Sequence, residues 1–343
     1  KTSVEEQGCD GQTSAQSYQG DAGIQLNSLT RRIALALNEW DYNIIGSSAV
    51  TDESRFIEVR DVRERVKSVA PFLALDNDPY PVVVDGRILW VVDGYTTSDR
   101  YPYGQFADRT QLQSGSGLDH PFNYVRNSVK ATVDAYDGSI TLYAVDDADP
   151  ILRVWRSAFP DLFTPKVEMP KGLVDHLRYP EELFNVQTRI YATYHVTDPS
   201  QFYNREDLWT VPVDAGSEQT LPSEAYYVDM RMPGEEGTEF LLLQPMVPQK
   251  RPNMIAWVAV RNDPANYGQT LVYKFAQNTS VLGPNQIEAK IDADPTISAQ
   301  ISLWSQAGSK VIRGNLIVMP IQDSLIYLQP IYLQSTASAF PEL

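Results

Sequence analysis

The feature that most constrains the fold is a pair of apolar runs joined by Asp85-Gly86. Residues 81–92 read Pro-Val-Val-Val, then Asp-Gly, then Arg-Ile-Leu-Trp-Val-Val. Asp-Gly between two such runs predicts a β-hairpin with a type I′ turn, because both turn residues tolerate a positive φ. Residues 129–145 repeat the pattern around Asp137-Gly138. The first hairpin is apolar on both faces, which predicts a central position, whereas the alternation in the second predicts one solvent-facing side.

Helical segments alternate with these hairpins. Apolar residues at three- and four-residue spacing predict a helix over 27–40, with Leu29, Ile33, Leu37 and Trp40 on its apolar face. Asp61 is placed to cap a second helix that ends before Pro71. Asp149-Pro150 and Asp294-Pro295 predict two more helix starts, since the acid accepts from free amides and proline at the first position loses no hydrogen bond. A further helix is predicted over 180–194, with Leu183, Val186 and Ile190 on one side.

From Tyr226 onward hairpin patterns predominate again. Local hairpins with interspersed helices, and no long βαβ series, predict an α+β fold of mostly antiparallel sheets. We divide the chain into a flexible leader (1–23), an N-terminal α+β part (24–165) and a C-terminal hairpin-rich α+β part (166–343). One continuous domain is the alternative.

Charge excludes two classes of partner. The chain has 343 residues, with 28 Lys and Arg against 44 Asp and Glu, so its net charge is −16. Nucleic acid and anionic lipid both attract basic surfaces, and neither is expected to bind here. Cys9 is the single cysteine, so no disulfide forms within the chain, and cysteine usage leaves the compartment open.

Neither terminus looks native, and nothing in the sequence spans a bilayer. No stretch approaches the ~18 consecutive apolar residues that a crossing needs. The chain begins with Lys1 rather than methionine and ends abruptly at Leu343. We interpret both ends as cuts in a longer protein, and we expect this region itself to be soluble.

Familiar catalytic motifs are missing from the sequence. It has no dinucleotide-binding glycine pattern, Walker loop, nucleophile elbow or His-Glu-x-x-His. The three histidines are His120, His176 and His195, and the first two follow Asp119 and Asp175, which suggests a base oriented by a carboxylate. Sequence neighbours seldom point to the same place, so we assign no catalytic residue and no cofactor.

Asp146, Asp147 and Asp149 have oxygen ligands suited to a hard cation such as Ca²⁺. The alternative is the end of a hairpin that runs into a helix cap, and this explains Asp149 directly. The ligand spacing of an EF-hand is missing, so the sequence predicts no metal site and leaves a cation near these residues open.

The candidate binding residues are Tyr95, Tyr101 and Tyr103. They occur in a polar, turn-rich segment (94–104) directly after the first hairpin. Tyrosine combines a flat apolar face with a polar tip, which suits contact with a glycan or peptide. The alternative is that these rings cover the open edge of the hairpin.

Several long segments together resemble one protein family. Two of them read Asp-Pro-Tyr-Pro-Val-Val-Val-Asp-Gly-Arg (78–87) and Trp-Val-Val-Asp-Gly-Tyr-Thr-Thr-Ser (90–98), and the others are 61–71, 177–184, 194–199, 241–246 and 328–332. They resemble the extracytoplasmic portion of uncharacterised protein family 0182. The resemblance implies a large multipass membrane protein, found in actinobacteria, cyanobacteria and some clostridia, of which this chain is an exported part.

The resemblance and the missing motifs lead to one functional expectation. We expect a binding or interaction module at the cell envelope, extracytoplasmic and attached to a membrane protein, with a protein partner or a second copy as its ligand. The alternative is an envelope hydrolase or ligand sensor whose carboxylates one sequence cannot bring together. A perturbed carboxylate pair in a cleft would favour the enzyme.

Overall fold

Short helices and strands alternate through the computed structural model, which confirms the predicted α+β class. The structure describes residues 4–7, 13–16, 18, 20, 22–109, 112, 115–213, 222–232, 234, 235, 237–276, 279–306, 308–321, 324–335, 341 and 342. Cys9 and about half of the predicted leader lie outside these residues. The helices are α1 (Leu29–Glu39), α2 (Asn43–Gly46), α3 (Val62–Val69), α4 (Pro150–Ala158), α5 (Lys171–Val174), α6 (Glu181–Tyr194), α7 (Pro199–Tyr203), α8 (Pro284–Ala293) and α9 (Pro295–Trp304).

The strands form several small sheets. They are β1 (Val4–Gln7), β2 (Thr13–Gln16), β3 (Ile24–Gln25), β4 (Arg55–Phe56), β5 (Ala74–Leu75), β6 (Tyr80–Val84), β7 (Arg87–Ser98), β8 (Tyr124–Asp134), β9 (Ile140–Ala144), β10 (Phe163–Pro165), β11 (Trp209–Thr210), β12 (Tyr226–Met230), β13 (Glu239–Pro248), β14 (Ala256–Arg261), β15 (Thr270–Lys274), β16 (Ser309–Arg313), β17 (Ile317–Ile321), β18 (Ser324–Leu328), β19 (Ile331–Ser335) and β20 (Pro341–Glu342).

The chain forms two units. Unit 1 comprises Lys1–Thr97 and Arg126–Leu173, and unit 2 comprises Ser98–Val125 and Val174–Leu343. Segment 98–125 thus belongs to unit 2 although unit 1 resumes after it. The three-part division drawn from the sequence stays a prediction.

Unit 1 is organised around a six-stranded sheet in the order β10-β9-β8-β7-β5, with β6 also paired to β7. Strand β10 runs parallel to β9, whereas β9 is antiparallel to β8 and both β5 and β6 are antiparallel to β7. Helices α3 and α4 bury Val66 and Leu152 in the same apolar cluster as Val92 and Val129 of the sheet.

The turn at Asp85-Gly86 is as predicted. Asp85 has φ +50° and Gly86 has φ +76°, and Val84 pairs with Arg87 across them. The hairpin at Asp137-Gly138 also forms, but its turn is longer, because β8 ends at Asp134 and β9 begins at Ile140. Of the two turn residues only Gly138 has a positive φ, +69°.

The predicted exposure of the two hairpins is wrong. In β6 alternate residues are exposed, and Val83 is 65% exposed. In β8 every residue from 129 to 134 is buried, including Lys130 and Thr132. The alternation in β8 does not mark a solvent face because its polar side chains are paired inside the protein: Lys130 with Asp93, and Asp134 with Arg87.

Arg87 links both hairpins. Its guanidinium donates from Nε to Asp134 at 2.5 Å and from Nη2 to Asp137 at 2.7 Å. The bond from Arg87, above all, lowers the pKa of Asp134 below its ordinary 3.8. A carboxylate with a lowered folded pKa stabilises the fold above its unfolded pKa, and this contribution disappears as the pH falls through the folded value.

We therefore expect Arg87→Met to reduce the free energy of unfolding at neutral pH, and the difference from wild type to shrink in acid below pH 3.8. Denaturant unfolding across an acid series measures it. The control is Arg153→Met, an exposed arginine of α4, which should show no such trend. A difference for Arg87→Met that stays constant into strong acid would contradict the account.

The predicted helix caps are confirmed. Asp61, Asp149 and Asp294 each accept hydrogen bonds from two backbone amides at the start of α3, α4 and α9. Helix α1 also forms, but the apolar face predicted for it is exposed: Leu29, Leu37 and Trp40 are 64%, 63% and 83% accessible. Its buried residue is Ala36.

Unit 2 contains a five-stranded antiparallel sheet in the order β11-β13-β14-β15, with β12 also paired to β13. Strand β14 is buried along its whole length. One apolar cluster of the unit joins the sheet to α6 through Phe184 and Ala192. The predicted hairpins after Tyr226 are thereby confirmed, and helix α6 is held against the sheet near its short edge strand β11.

Candidate functional site

Unit 2 contains a cleft of about 680 Å³ between helix α6, the loop 105–108 and the chain around β11. Its lining is mixed, with aromatic, aliphatic, polar and charged side chains. The residues are Gln105, Phe106, Ala107, Asp108, Val186, Arg189, Ile190, Ala192, Thr193, Tyr194, Trp209, Thr210, Val211, Val213 and Pro222. Clefts of roughly 300–1,000 Å³ are typical of small-molecule sites.

Helix α6 forms one wall because it has an anchoring side and a cleft side. Leu183 and Phe184 are 4% and 1% exposed and anchor it in the core. Arg189, Ile190 and Thr193 line the cleft. Thr193 follows the other two by four and three positions, so the three residues lie on one side of the helix. Ile190 was predicted to share the apolar side with Leu183, yet it is 48% exposed.

Trp209 of β11 also lines the cleft and is 5% exposed. The indole stacks on His195 with ring centroids 3.8 Å apart, and Lys274 Nζ lies 4.9 Å from its ring centre. Near the rim, the Tyr194 hydroxyl donates to Gln105 Oε1 at 2.9 Å, which links α6 to the loop 105–108. Phe106 of that loop is 53% exposed.

Two opposite charges line the cleft. Burial lowers the pKa of Arg189, and the negative charge of Asp108 raises it in return. An arginine stays protonated in proteins, so Arg189 is a permanent, partly desolvated cation. Its planar guanidinium matches a carboxylate in a bidentate manner, while Asp108 is an acceptor for a cation. The cleft thus combines one cation and one anion, which act on each other, with apolar walls.

The sequence did not single out Arg189. The one feature of the sequence that could have indicated it was its position next to Ile190, on a helix that was predicted to have one apolar side. The loop 105–108 and β11 carry no pattern that would connect them to α6, since their association depends on tertiary packing.

His120 and His195 have different surroundings. Asp119 pairs with Arg109 at 3.3 Å, and His120 Nδ1 lies 3.1 Å from the Gly117 carbonyl oxygen. The histidine next to the cleft is His195, whose side chain is 2% exposed. Its Nδ1 donates to the Tyr191 carbonyl at 3.2 Å, and its Nε2 lies 3.9 Å from Asp207 Oδ2.

The three candidate tyrosines occupy different environments. Tyr95 is fully buried in β7, where its hydroxyl donates to Asp76, so it offers no surface to a partner. Tyr101 is 55% exposed and stacks on Tyr124 with centroids 5.8 Å apart, and Tyr103 is fully exposed. A binding role for Tyr101 and Tyr103 stays a prediction, and neither lines the cleft.

The aspartates considered for a cation have separate partners. Asp146 pairs with Arg126 at 2.7 Å and Asp147 with Arg156 at 2.5 Å. Asp149 is wholly buried and caps α4. Within the described ranges, no group of three or more histidine, cysteine, aspartate or glutamate side chains is arranged to hold a metal ion.

Unit 1 has a buried charged cluster of its own, formed by Asp76, Asp93 and Lys130. These residues are 3%, 3% and 1% exposed. Lys130 Nζ contacts Asp93 Oδ1. Burial is the main cause that raises the pKa of both carboxyl groups, and the charge of Asp93 raises that of Asp76 further.

Fold and cleft together define an α+β protein with a ligand-sized cleft in its second unit. The chain belongs to the uncharacterised protein family UPF0182, whose family model matches residues 1–304. The resemblance to this family found in the sequence is thereby confirmed.

Relatives named UPF0182 protein match almost the whole chain. The one from Desulforamulus reducens is 47% identical over 328 residues, covering 95% of this chain and 34% of the relative. Those from Trichodesmium erythraeum and Methanospirillum hungatei are 45% and 46% identical, covering 95% and 93% of this chain and 36% and 35% of the relatives. The chain therefore spans about one third of the length of these curated relatives. No solved structure matches it.

In the part of the chain that the structure describes, no helix combines the length and the apolar character needed to cross a bilayer. The longest of the helices given above, α6, has 14 residues.

Proposed function

We propose that this chain is a ligand-binding module at the cell envelope, the extracytoplasmic region of a longer membrane-embedded protein. The observation that carries the binding role is the cleft of unit 2, with its volume of about 680 Å³ and its mixed lining. The extracytoplasmic placement rests on the resemblance of the segments described above. That the chain is part of a longer protein is supported by the relatives, which are about three times as long as this chain.

The charges of the cleft indicate the chemistry of the ligand. Arg189 suits a carboxylate and Asp108 an ammonium group, while Phe106 and Trp209 add aromatic surface to the lining. A free amino acid or short peptide with both ends unblocked has this combination. The protein partner expected from the sequence would present a chain end of the same kind.

The position of the perturbed carboxyl groups favours binding over the enzyme alternative. The hydrolase hypothesis requires carboxyl groups of shifted pKa at an accessible site. Asp76 and Asp93 have a raised pKa, and both are buried in unit 1 rather than in the lining of the cleft. The carboxylate that lines the cleft is Asp108.

Thermal unfolding with a panel of amino acids and di- and tripeptides tests the binding role. A ligand that binds only the folded state raises Tm, by an amount that grows with its concentration above Kd. We expect at least one member of the panel to raise Tm of the wild type, and Arg189→Met to abolish the shift.

The matched control is Arg153→Met, which removes an exposed arginine of unit 1 and should keep the full shift. A panel without effect on the wild type, or a shift that survives Arg189→Met, would contradict the proposal.

A further inference from the structure

The cluster of Asp76, Asp93 and Lys130 has no part in the cleft, and its composition is unusual. It places one amine and two carboxyl groups out of reach of water, with exposures between 1% and 3%. Lys130 projects from β8 and Asp93 from β7, neighbouring strands of the sheet. The Lys130 amine and the Asp93 carboxyl group are in direct contact.

The second carboxyl group is held in place from several sides. Tyr95, fully buried, donates its hydroxyl to Asp76 Oδ2, and the Asp78 amide donates to Asp76 Oδ1 at 2.8 Å. The Asp76 amide donates to the Asp93 carbonyl oxygen at 2.9 Å, which fixes the two aspartates next to one another. Tyr95 is thus a positioning residue for Asp76.

Burial changes the preferred protonation state of such a pair. Each ion loses its hydration, and the mutual attraction of two buried charges only partly offsets that loss. Burial raises the pKa of Asp93, which favours its neutral acid form. A neutral amine in contact with a carboxylic acid, with bulk water excluded, is the reactant pair for an amide.

We propose that Lys130 and Asp93 condense to an intramolecular isopeptide bond between β8 and β7. The lone pair of Nζ attacks the Asp93 carboxyl carbon, and a C–N bond forms. Asp76 takes a proton from the nitrogen and delivers one to the departing hydroxyl group. The C–O bond then breaks and one water molecule leaves. Neither an oxidant nor a cofactor is consumed.

The amide product is suited to the buried core of unit 1. The amide is neutral, so two charges disappear from the core of unit 1. The bond also closes a covalent loop through segment 94–129, which restricts the unfolded chain in the way that a disulfide does. Strands β7 and β8 would then stay joined in denaturant.

Tryptic mapping of the denatured full-length protein tests the proposal directly. In the wild type, trypsin should not cleave after Lys130, since its amine is acylated. The expected product is a branched species in which peptide 88–100, with Asp93, is joined to peptide 127–153, with Lys130, and which is lighter than their sum by one water molecule.

Two variants test which residues take part in the reaction. Asp76→Asn keeps the Lys130–Asp93 pair but removes the proton carrier, so we expect cleavage after Lys130 and two unlinked peptides. Lys67→Met changes an exposed lysine of α3 and should leave the branched species intact.

Unlinked peptides of full mass from the wild type would show a plain ion pair and overturn the proposal. So would unlinked peptides of which one has lost water at Asp93-Gly94 or Asp137-Gly138, since an aspartate before glycine can lose the same mass by closing to a succinimide. A branched species that persists in Asp76→Asn would refute the role of Asp76.

Discussion

Replacing Asp149 by alanine should cost about 3–5 kcal/mol of folding free energy, far more than the loss of an ordinary helix cap. Its carboxylate accepts from the amides of Ile151 and Leu152 at 3.0 and 3.2 Å, as any capping aspartate does. It also accepts from the hydroxyls of Thr96 and Ser128 at 2.6 and 2.7 Å. The site is fully buried, so alanine would leave these donors without an acceptor and without water.

Asp294 provides a matched control within the same chain. It follows the same Asp-Ala-Asp-Pro pattern and accepts from the amides of Thr296 and Ile297 at 2.9 and 3.0 Å, but it is exposed. Asp294→Ala should therefore cost about 1 kcal/mol. Denaturant unfolding of both variants gives the comparison, and equal losses would show that the buried hydroxyls of Thr96 and Ser128 contribute nothing.

Substitutions of the tyrosines in segment 94–104 should likewise differ in their effect on stability, because the rings differ in burial. Tyr95→Ala should cost about 3–5 kcal/mol, because it empties a fully buried ring position in β7. Tyr103→Ala should stay within about 0.5 kcal/mol of the wild type, since that ring is fully exposed. Denaturant melts measure both. A large loss for Tyr103→Ala would contradict the exposure of that ring.

Local sequence rules predicted much of the fold. The positive φ values at Asp85-Gly86 and the caps at Asp61, Asp149 and Asp294 follow from interactions within a few residues. Such features depend on backbone conformation and near neighbours, so a single sequence is enough to specify them.

The burial of β8 could not be predicted in the same way. The alternation of apolar and polar residues in β8 is typical of a strand with one solvent-exposed face. The polar residues are buried instead because they pair with residues that are distant in the sequence. Lys130 pairs with Asp93, and Arg87 with Asp134. The two residues of each pair are far apart in the sequence, so rules based on near neighbours do not predict the pairing. The exposed apolar face of α1 is the converse case, since a helical pattern predicts which residues share a face but not what covers it.

The cleft was beyond prediction for the same reason. The loop 105–108, helix α6 and strand β11 are distant in the chain and meet only through the packing of unit 2. An arginine next to Ile190 in a core-facing pattern was the one local sign. The tyrosines of segment 94–104 stood out in the sequence because they are clustered, and Tyr95 shows that clustering alone does not indicate exposure.

The most direct test of the central claim is the reaction of a cysteine in the cleft with a membrane-impermeant thiol reagent in living cells. Ile190→Cys in the full-length protein, with Cys9 and all other cysteines replaced by serine, supplies the cysteine. Val154→Cys on α4, 66% exposed and in unit 1, supplies the control. We predict that both label in intact cells, and that a peptide which raises Tm slows labelling at Ile190→Cys but not at Val154→Cys. Labelling that requires cell lysis would contradict the extracytoplasmic placement, and equal rates with and without the peptide would contradict a ligand in the cleft.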